Sequence, residues 1–391
     1  MSHILKENVT AKQLLSLIPD DSFALLAKNT SVDYQVKKLF GRNLFYLLLY
    51  GLMESSRVSL RSLEEVYKSN KFKFFFNLNK KLDIKFNTIS VRLSNINIEF
   101  FENIYQLIYS TFSSLNLNKQ QYGYKLTRVD STMVCEAANK IEEGMILANQ
   151  HGKKKHIKYT IALTDLLPSS VEVFSKQESI SDDLTIPQLI LRNIDKKVDN
   201  IFVFDRGVQS RTCFCEMDNE GFRFVTRMRK STVEVVEKSN IPDHLIIGNL
   251  RIISDEKILL FDRYHRKHLN PFRLIRTVNE SNEELMFLTN MFDLSIEQII
   301  EIYKRRWDIE VFFRFIKQEL NFKHFMSTNL NGIKIILYMT LILAMLILIF
   351  KKFNSIGYKI AMKRFYYQLE DLIIDMAVEL NHNSQSTVLR L

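Results

Sequence analysis

Tyr303–Lys317 reads YKRRWDIEVFFRFIK, and the fold turns on how this stretch is understood. Its apolar residues recur at helical spacing, which predicts one long helix over residues 295–320. Tyr303, Arg306, Glu310 and Lys317 stand 3, 4 and 7 positions apart. At about 100° per residue, their directions on such a helix fall within an arc of roughly 60°. A phenol, a cation, a carboxylate and a second cation would then share one stripe. The i, i+4 spacing of Arg306 and Glu310 is also that of an ordinary solvated surface pair. However, Trp307, Phe312, Phe313, Phe315 and Ile316 crowd the rest of the helix. A charged stripe on so apolar a helix is expected to face a cleft or a ligand, with Trp307 expected in the core.

Two aspartates upstream complete a set of three acids. Asp130 follows YKLTRV and Asp205 follows NIFVF, so both are expected at strand ends. A lone aspartate in that position is ordinarily a turn former or a helix cap, and only the combination with Glu310 gives these two meaning. The surrounding text reads as three short antiparallel strands (YKLTRVDST, IKYTIALTDLL, VEVFS), then a helix over 186–194, the strand NIFVFD, a helix over 209–219 and the strand RFVTRMR. That order fits a mixed sheet flanked by helices, a mixed α/β class. Residues 231–290 are strand-rich and read as an insertion, because the helical text after them must still complete the sheet domain. The expected organisation is a helical N-terminal domain (1–115), read either as a DNA-binding domain or as a helical cap with an ordinary solvated face, a sheet core in two parts (116–230 and 291–350) around the β insertion, and a helical C-terminal region (351–391).

Composition narrows the partner. The formal net charge is +10 and the pI about 9.2, which favours a polyanion, with nucleic acid first and an anionic membrane surface second. The three cysteines, Cys135, Cys213 and Cys215, lack metal-finger spacing and are expected as packing residues in a reducing cytoplasm. Residues 335–350 (IILYMTLILAMLILIF) are 16 uncharged residues. At ~1.5 Å per residue they would span about 24 Å, short of a ~30 Å hydrocarbon core, so a buried core helix is expected rather than a membrane anchor. Lys153, Lys154, Lys155, His156 and Lys158 form a basic run that could cap a hairpin against DNA or simply be solvated. Arg206, Arg227 and Arg229, near strand ends, are candidate contacts to a DNA backbone.

The string Y-x2-R-x3-E-x6-K in residues 303–317 resembles the signature of the insertion-sequence-four family of bacterial DDE transposases. FVFDRG (202–207) is similar to that family's second-aspartate motif and LTRVDST (126–132) to its first. FVTR at 224–227 and LTN at 288–290 resemble the text expected around them, and the resemblance covers about residues 30–345. Val208 departs from the pattern, where an aromatic residue is common. The resemblance implies an RNase H-like core that gathers Asp130, Asp205 and Glu310 as catalytic and metal-holding residues, with the β insertion placed before the last catalytic helix. It implies two Mg2+ ions, with Mn2+ a substitute, because phosphodiester cleavage develops charge on attacking and leaving oxygens, and hard cations prefer oxygen ligands. In that scheme Asp130 bridges both ions while Asp205 and Glu310 hold one each. Tyr303, Arg306 and Lys317 are implied to contact double-stranded DNA at the element's ends, held by a homodimer in the bacterial cytoplasm at the nucleoid. Two other readings are a DNA-binding relative without catalysis and a protein anchored in a membrane through 335–350.

Overall fold

The structure, a computed structural model, describes residues 8–54, 58–79, 81–115, 123–135, 141–147, 154–192, 200–242, 244–320 and 322–388. Seven helices come first: α1 (Ala11–Leu15), α2 (Asp21–Asn29), α3 (Gly41–Glu54), α4 (Leu60–Lys68), α5 (Asn70–Phe75), α6 (Phe86–Asn95) and α7 (Glu99–Ser113). α1 and α4 start on hydroxyl caps, Thr10 and Ser59, whose side chains accept from the amides of Gln13 and Ser62. The central region follows as β1 (Lys125–Cys135), β2 (Met145–Ile146), β3 (Lys155–Thr164), β4 (Leu167–Phe174), α8 (Asp182–Arg192), β5 (Asn200–Val203), α9 (Arg211–Asn219) and β6 (Arg223–Met228). After these come β7 (Val233–Lys238), β8 (Ile246–Ile247), β9 (Leu250–Phe261), β10 (Lys267–Asn279) and β11 (Glu284–Thr289). The chain ends in α10 (Ile296–Lys304), α11 (Trp307–Glu319), α12 (Leu330–Asn354) and α13 (Tyr358–Val388).

All the strands join one sheet in the order β2–β3–β1–β5–β6–β11–β10–β9–β7, with β4 beside β3 and β8 beside β9. β1–β5 and β5–β6 are parallel pairs, and the others are antiparallel. Strands with parallel neighbours are usually covered on both faces, and the alternation along β5 shows it. Phe202 and Phe204 pack with Ile186, Leu189 and Phe214 of α8 and α9 on one face. Ile201 and Val203 pack with Ile299 and Ile302 of α10 on the other. β11 pairs with β6, so the strand-rich segment prolongs the central sheet.

The long helix expected over 295–320 is broken. α10 ends at Lys304, α11 begins at Trp307, and the amides of Arg306 and Ile309 bond back three residues rather than four. The reason lies in the packing. α10 buries Ile299 and Ile302 against the sheet centre, whereas α11 buries Ile309, Phe312, Phe315 and Ile316 in a separate helical core. The chain must re-aim between two cores, and Trp307 at the bend is 53% exposed, not in the core.

That helical core is organised around α12, which packs against α1, α3, α6, α7, α13 and β4. One continuous cluster joins Phe45 and Phe101 of the N-terminal helices, Phe312 of α11, Ile157 of β3 and Leu341 of α12. α12 has 25 residues and contains an 18-residue window with a mean hydropathy of 2.7, enough by length and composition to cross a membrane, but 89% of that window is buried inside the protein. Its side chains are already out of water, so lipid has almost no hydrophobic gain to offer it.

The basic run after β1 also differs from expectation. Lys153 and His151 lie outside the described residues. Lys155, His156 and Lys158 belong to β3, not to a hairpin tip. The Lys155 ammonium donates to the carbonyls of Ile141 and Glu142, and Lys158 is buried.

Candidate active site

Asp130 lies inside β1 rather than at its end. Its exposure to chemistry comes from its neighbour: β5 pairs only as far as Arg128 opposite Val203, so β1 runs past the end of β5. Asp130 is two residues beyond that last pair on β1, and Asp205 is two residues beyond it on the chain leaving β5. The parallel register therefore sets the two aspartates level. Burial, first, pushes the Asp130 carboxyl up to about 7, and the charges of Asp205 and Asp182 add to the rise. The Ser131 amide, which donates to Asp130 Oδ1 at 2.7 Å, and the Arg306 charge work the other way.

The loop after β5 is shaped around Asp205. The Gly207 amide donates to Asp205 Oδ1 at 2.8 Å. A Cβ on Gly207 would stand 2.7 Å from that oxygen and 2.9 Å from Asp182 Oδ2, so a larger residue would push one or both carboxylates aside. Two acids stand at the start of α8, and one of them grips this loop. Asp183 Oδ1 accepts from the amides of Gln209 at 2.5 Å and Ser210 at 2.7 Å. Asp182 pairs with the buried Lys158 ammonium at 2.7 Å, which also donates to the Ile180 carbonyl.

Glu310, one turn into α11, accepts from Arg306 Nη2 at 2.5 Å. Burial opposes the Arg306 charge, yet the bond to Glu310 and the nearby Asp130 leave its pKa above the ordinary value. Arg306 thus stands between two of the three acids. Its guanidinium also lies 6.0 Å from the Tyr303 ring centroid. Tyr303 packs edge-on to Phe287 of β11 at 5.2 Å. Burial raises its pKa, against the pull of the charges on Arg306 and Arg227. Lys317 donates to Thr132 Oγ1 on β1 at 2.5 Å; burial lowers its pKa, helped by Lys323 and opposed by Asp130. The four stripe residues therefore stay around one site although the helix carrying them is broken. Arg206 is exposed at the turn beside Asp205, while Arg227 is half-buried on β6.

α11 is tied to β1 on either side of Glu310. Lys317–Thr132 is one tie, and the other is the buried Arg128, whose Nη2 meets Asp308 Oδ2 at 3.0 Å. Arg305 Nε bonds the same carboxylate oxygen at 2.9 Å. Arg128 also donates to the carbonyls of Leu126 and Asp165. Of these positioning residues, Arg128, Asp308, Asp182 and Asp183 escaped the sequence reading, and Lys158 is legible there only as part of a basic run against DNA or solvent. Asp182 and Asp183 had one legible signal: an acid pair suits a helix N-terminus, but the expected helix began at Ile186, four residues too late.

The donor set bears on whether the acids suit a divalent cation. Asp130 and Asp205 offer hard oxygen donors, level with each other, in a place where burial and like charge disfavour ionisation; a cation relieves both costs. Among the described residues, no group of three or more acids, histidines or cysteines is close enough to hold a metal. The outlier is Glu310, held by Arg306. The two aspartates fit a cation, while Glu310 is paired with Arg306.

Comparison with known proteins shows the family. The sequence profile described as "Transposase DDE domain" matches residues 122–346, more than half of the chain. A protein of Geobacillus stearothermophilus named as a transposase for insertion sequence element IS5377 is 24% identical over 251 residues, 63% of this chain and 62% of that one. A protein of Synechocystis sp. named as a transposase for insertion sequence element IS4SA is 26% identical over 148 residues, 38% of this chain and 40% of that one. The chain thus matches less than two-thirds of the length of these relatives. A cryo-EM structure of piggyBac transposase in a synaptic complex with hairpin DNA superposes with a TM-score of 0.51 at 12% identity, over 95% of this chain and 83% of that one. That likeness concerns the fold, which is RNase H-like. With a family match that runs from just before β1 into α12 and takes in all three acids, the chain belongs to the transposase DDE domain family.

Proposed function

We propose that this protein is a DNA transposase of the cut-and-paste kind, with Asp130, Asp205 and Glu310 as its catalytic acids. The observation that carries the reading is the level placement of Asp130 and Asp205 across a parallel strand pair, with Glu310 linked to them through Arg306. The chemistry is hydrolysis of a phosphodiester at each end of the element. Water attacks phosphorus, the bond to the 3′ oxygen breaks, and a 3′-OH and a 5′-phosphate result. The freed 3′-OH then attacks a phosphodiester of the target, forming a new P–O bond and displacing the target's own 3′ oxygen. Bound Mg2+, held by the three carboxylates, supplies charge stabilisation for the attacking and leaving oxygens.

The chain's own residues divide the remaining work. Asp130 and Asp205 keep their carboxylates level, and Gly207 leaves room between Asp205 and Asp182. Arg306 parks Glu310 until DNA arrives, because a phosphate can replace the carboxylate as its bidentate partner. Tyr303 and Lys317 flank it as DNA contacts, with Arg206 and Arg227 on the neighbouring strand ends. The paired-end reaction calls for a homodimer on two element ends.

The test is metal-dependent nicking of a DNA fragment carrying the element's own ends, by wild type and by Asp205→Ala. Nicking at the ends that requires Mg2+ and drops by about 10²–10³-fold in the variant is expected, as for loss of a central catalytic electrostatic group. Nicking that survives the substitution would mean that the acids are wrongly assigned.

A further inference from the structure

A second basic site lies beside the acids, on the far side of the loop that carries Asp205. A cavity of about 820 Å³ opens between the start of α9, the end of β6 and the β9–β10 turn. Arg211, Arg229, Arg263 and Arg266 line it, together with the acids Asp183 and Asp262. The four guanidinium groups outnumber the two carboxylates, and Asp262 is paired with Arg266. Asp183 is used by the Gln209 and Ser210 amides. Asp262 accepts from the amides of Tyr264 at 2.8 Å and Arg266 at 2.9 Å, and from Arg266 Nε at 2.8 Å. Arg211 donates to the Gln209 carbonyl. Arg229 and Arg263 are exposed, and neither has a carboxylate at ion-pair distance among the described residues.

The turn holding Arg263 is built, not slack. The three bonds to Asp262 fix its course, and His265 takes a left-handed φ of 60°. Tyr264 stands 62% exposed between two guanidinium groups, Arg263 at 4.7 Å and Arg266 at 5.3 Å from its ring centroid. Guanidinium groups facing an open polar cavity suit an anion with several oxygens in a row, since each fork can bind an oxygen pair.

We infer that this cavity is a DNA-backbone seat separate from the Tyr303–Arg306–Lys317 stripe, with Arg229 and Arg263 as its phosphate-binding groups. The inference rests on the transposase reading for the identity of the anion. Its place follows from the chain: Gln209 and Ser210 at its wall come four and five residues after Asp205. A strand passing through the cavity is thereby held next to the phosphodiester presented to the acids. The element's end and the target DNA share this backbone chemistry, and the experiment separates them.

Binding is measured by fluorescence anisotropy in EDTA, so that no cleavage runs, with one duplex carrying the element's end and one lacking it. Wild type, Arg263→Ala and the Arg229→Ala/Arg263→Ala pair are titrated over a range of salt. Removing one phosphate-binding cation flattens the slope of log K against log salt by about 0.9, so the double substitution should flatten it by about 2. Affinity should fall at least about tenfold for the pair, with rescue by Arg→Lys at both positions. Loss confined to the end-bearing duplex assigns the seat to the element's end, and equal loss on both duplexes assigns it to DNA backbone generally, target included. Unchanged affinity and slope on both duplexes overturn the inference. Arg263 is exposed on a turn, so its single variant reports even where the double variant melts early. Failure of this proposal is separable from failure of the transposase reading: a wild type that never cleaves but loses binding in these variants would sink only the latter.

Discussion

Among single residues, Asp130 carries the sharpest physical conflict. Its carboxyl is pushed up to about 7, with burial the largest cause, from an ordinary value of 3.8. A group whose folded-state pKa is raised contributes stability that is present below its unfolded value and lost as pH rises through its folded value. Between pH 4 and pH 7, therefore, the metal-free protein should lose stability at this one position. Three pH units would correspond to about 4 kcal/mol in full, and partial access to water reduces that to on the order of 2 kcal/mol. Asp130→Asn, which has nothing to ionise, should be more stable than wild type by that amount at pH 8 in EDTA, and about equal to it near pH 4. Chemical denaturation at the two pH values checks this, and a variant no more stable at pH 8 than at pH 4, relative to wild type, would rule it out. Added Mg2+ should narrow the gap at pH 8 by stabilising only the wild type.

Elements show where sequence reasoning held and where it stopped. The strand and helix order from β1 to β6 was legible because period-2 and period-3.6 patterns are local properties of the text. Asp205 was legible at the end of NIFVF for the same reason. The break at Arg305–Arg306 was not, since nothing local forbids a helix there; two distant cores demand different directions from α10 and α11. Asp130 was placed at a strand end because the chain becomes polar there, whereas the strand that ends is its neighbour β5. Register is a property of pairs, and one strand's text does not contain it. The same limit hid the α8 acids, which act on a loop more than 20 residues away. Asp183→Ala removes the acceptor for two loop amides and should cost about 1–2 kcal/mol of stability, the scale of a lost cap. Its effect on end cleavage should be larger than that, because the loop presents Asp205, and the Mg2+ concentration needed for half-maximal cleavage should rise. Binding of end DNA in EDTA should stay at the wild-type level. A loss of cleavage that merely tracks the fraction unfolded, with no change in Mg2+ requirement, would leave Asp183 an ordinary cap.

For the whole molecule, the question is whether the helical parts and the catalytic sheet are separate bodies. Sequence alone suggests a division at about residue 115 and another at about 350, since text rich in helix flanks text rich in strand. Yet α12 packs on α3, α6 and α7 from before the first division, on β4 from the sheet, and on α13 from after the second. One hydrophobic cluster spans all of them and includes the apolar face of the helix that bears Glu310. A core shared in this way couples the stability of the N-terminal helices to the position of Glu310, the proposed third acid. Leu343→Ala, at a fully buried point of α12, should cost about 2–5 kcal/mol through diminished burial and the cavity left behind. Because the core is common, that loss should lower one transition rather than split it. Far-ultraviolet circular dichroism and Trp307 fluorescence, which reports from the bend before α11, should melt together in both wild type and variant. A variant in which helical signal is lost first, while Trp307 keeps its native emission, would show two independent bodies and would detach the N-terminal helices from the catalytic site. The same measurement bears on the membrane reading. A helix whose apolar side chains hold the protein's core together cannot leave for lipid without unfolding it, so a single cooperative transition in detergent-free buffer is what a core helix requires and an anchor does not.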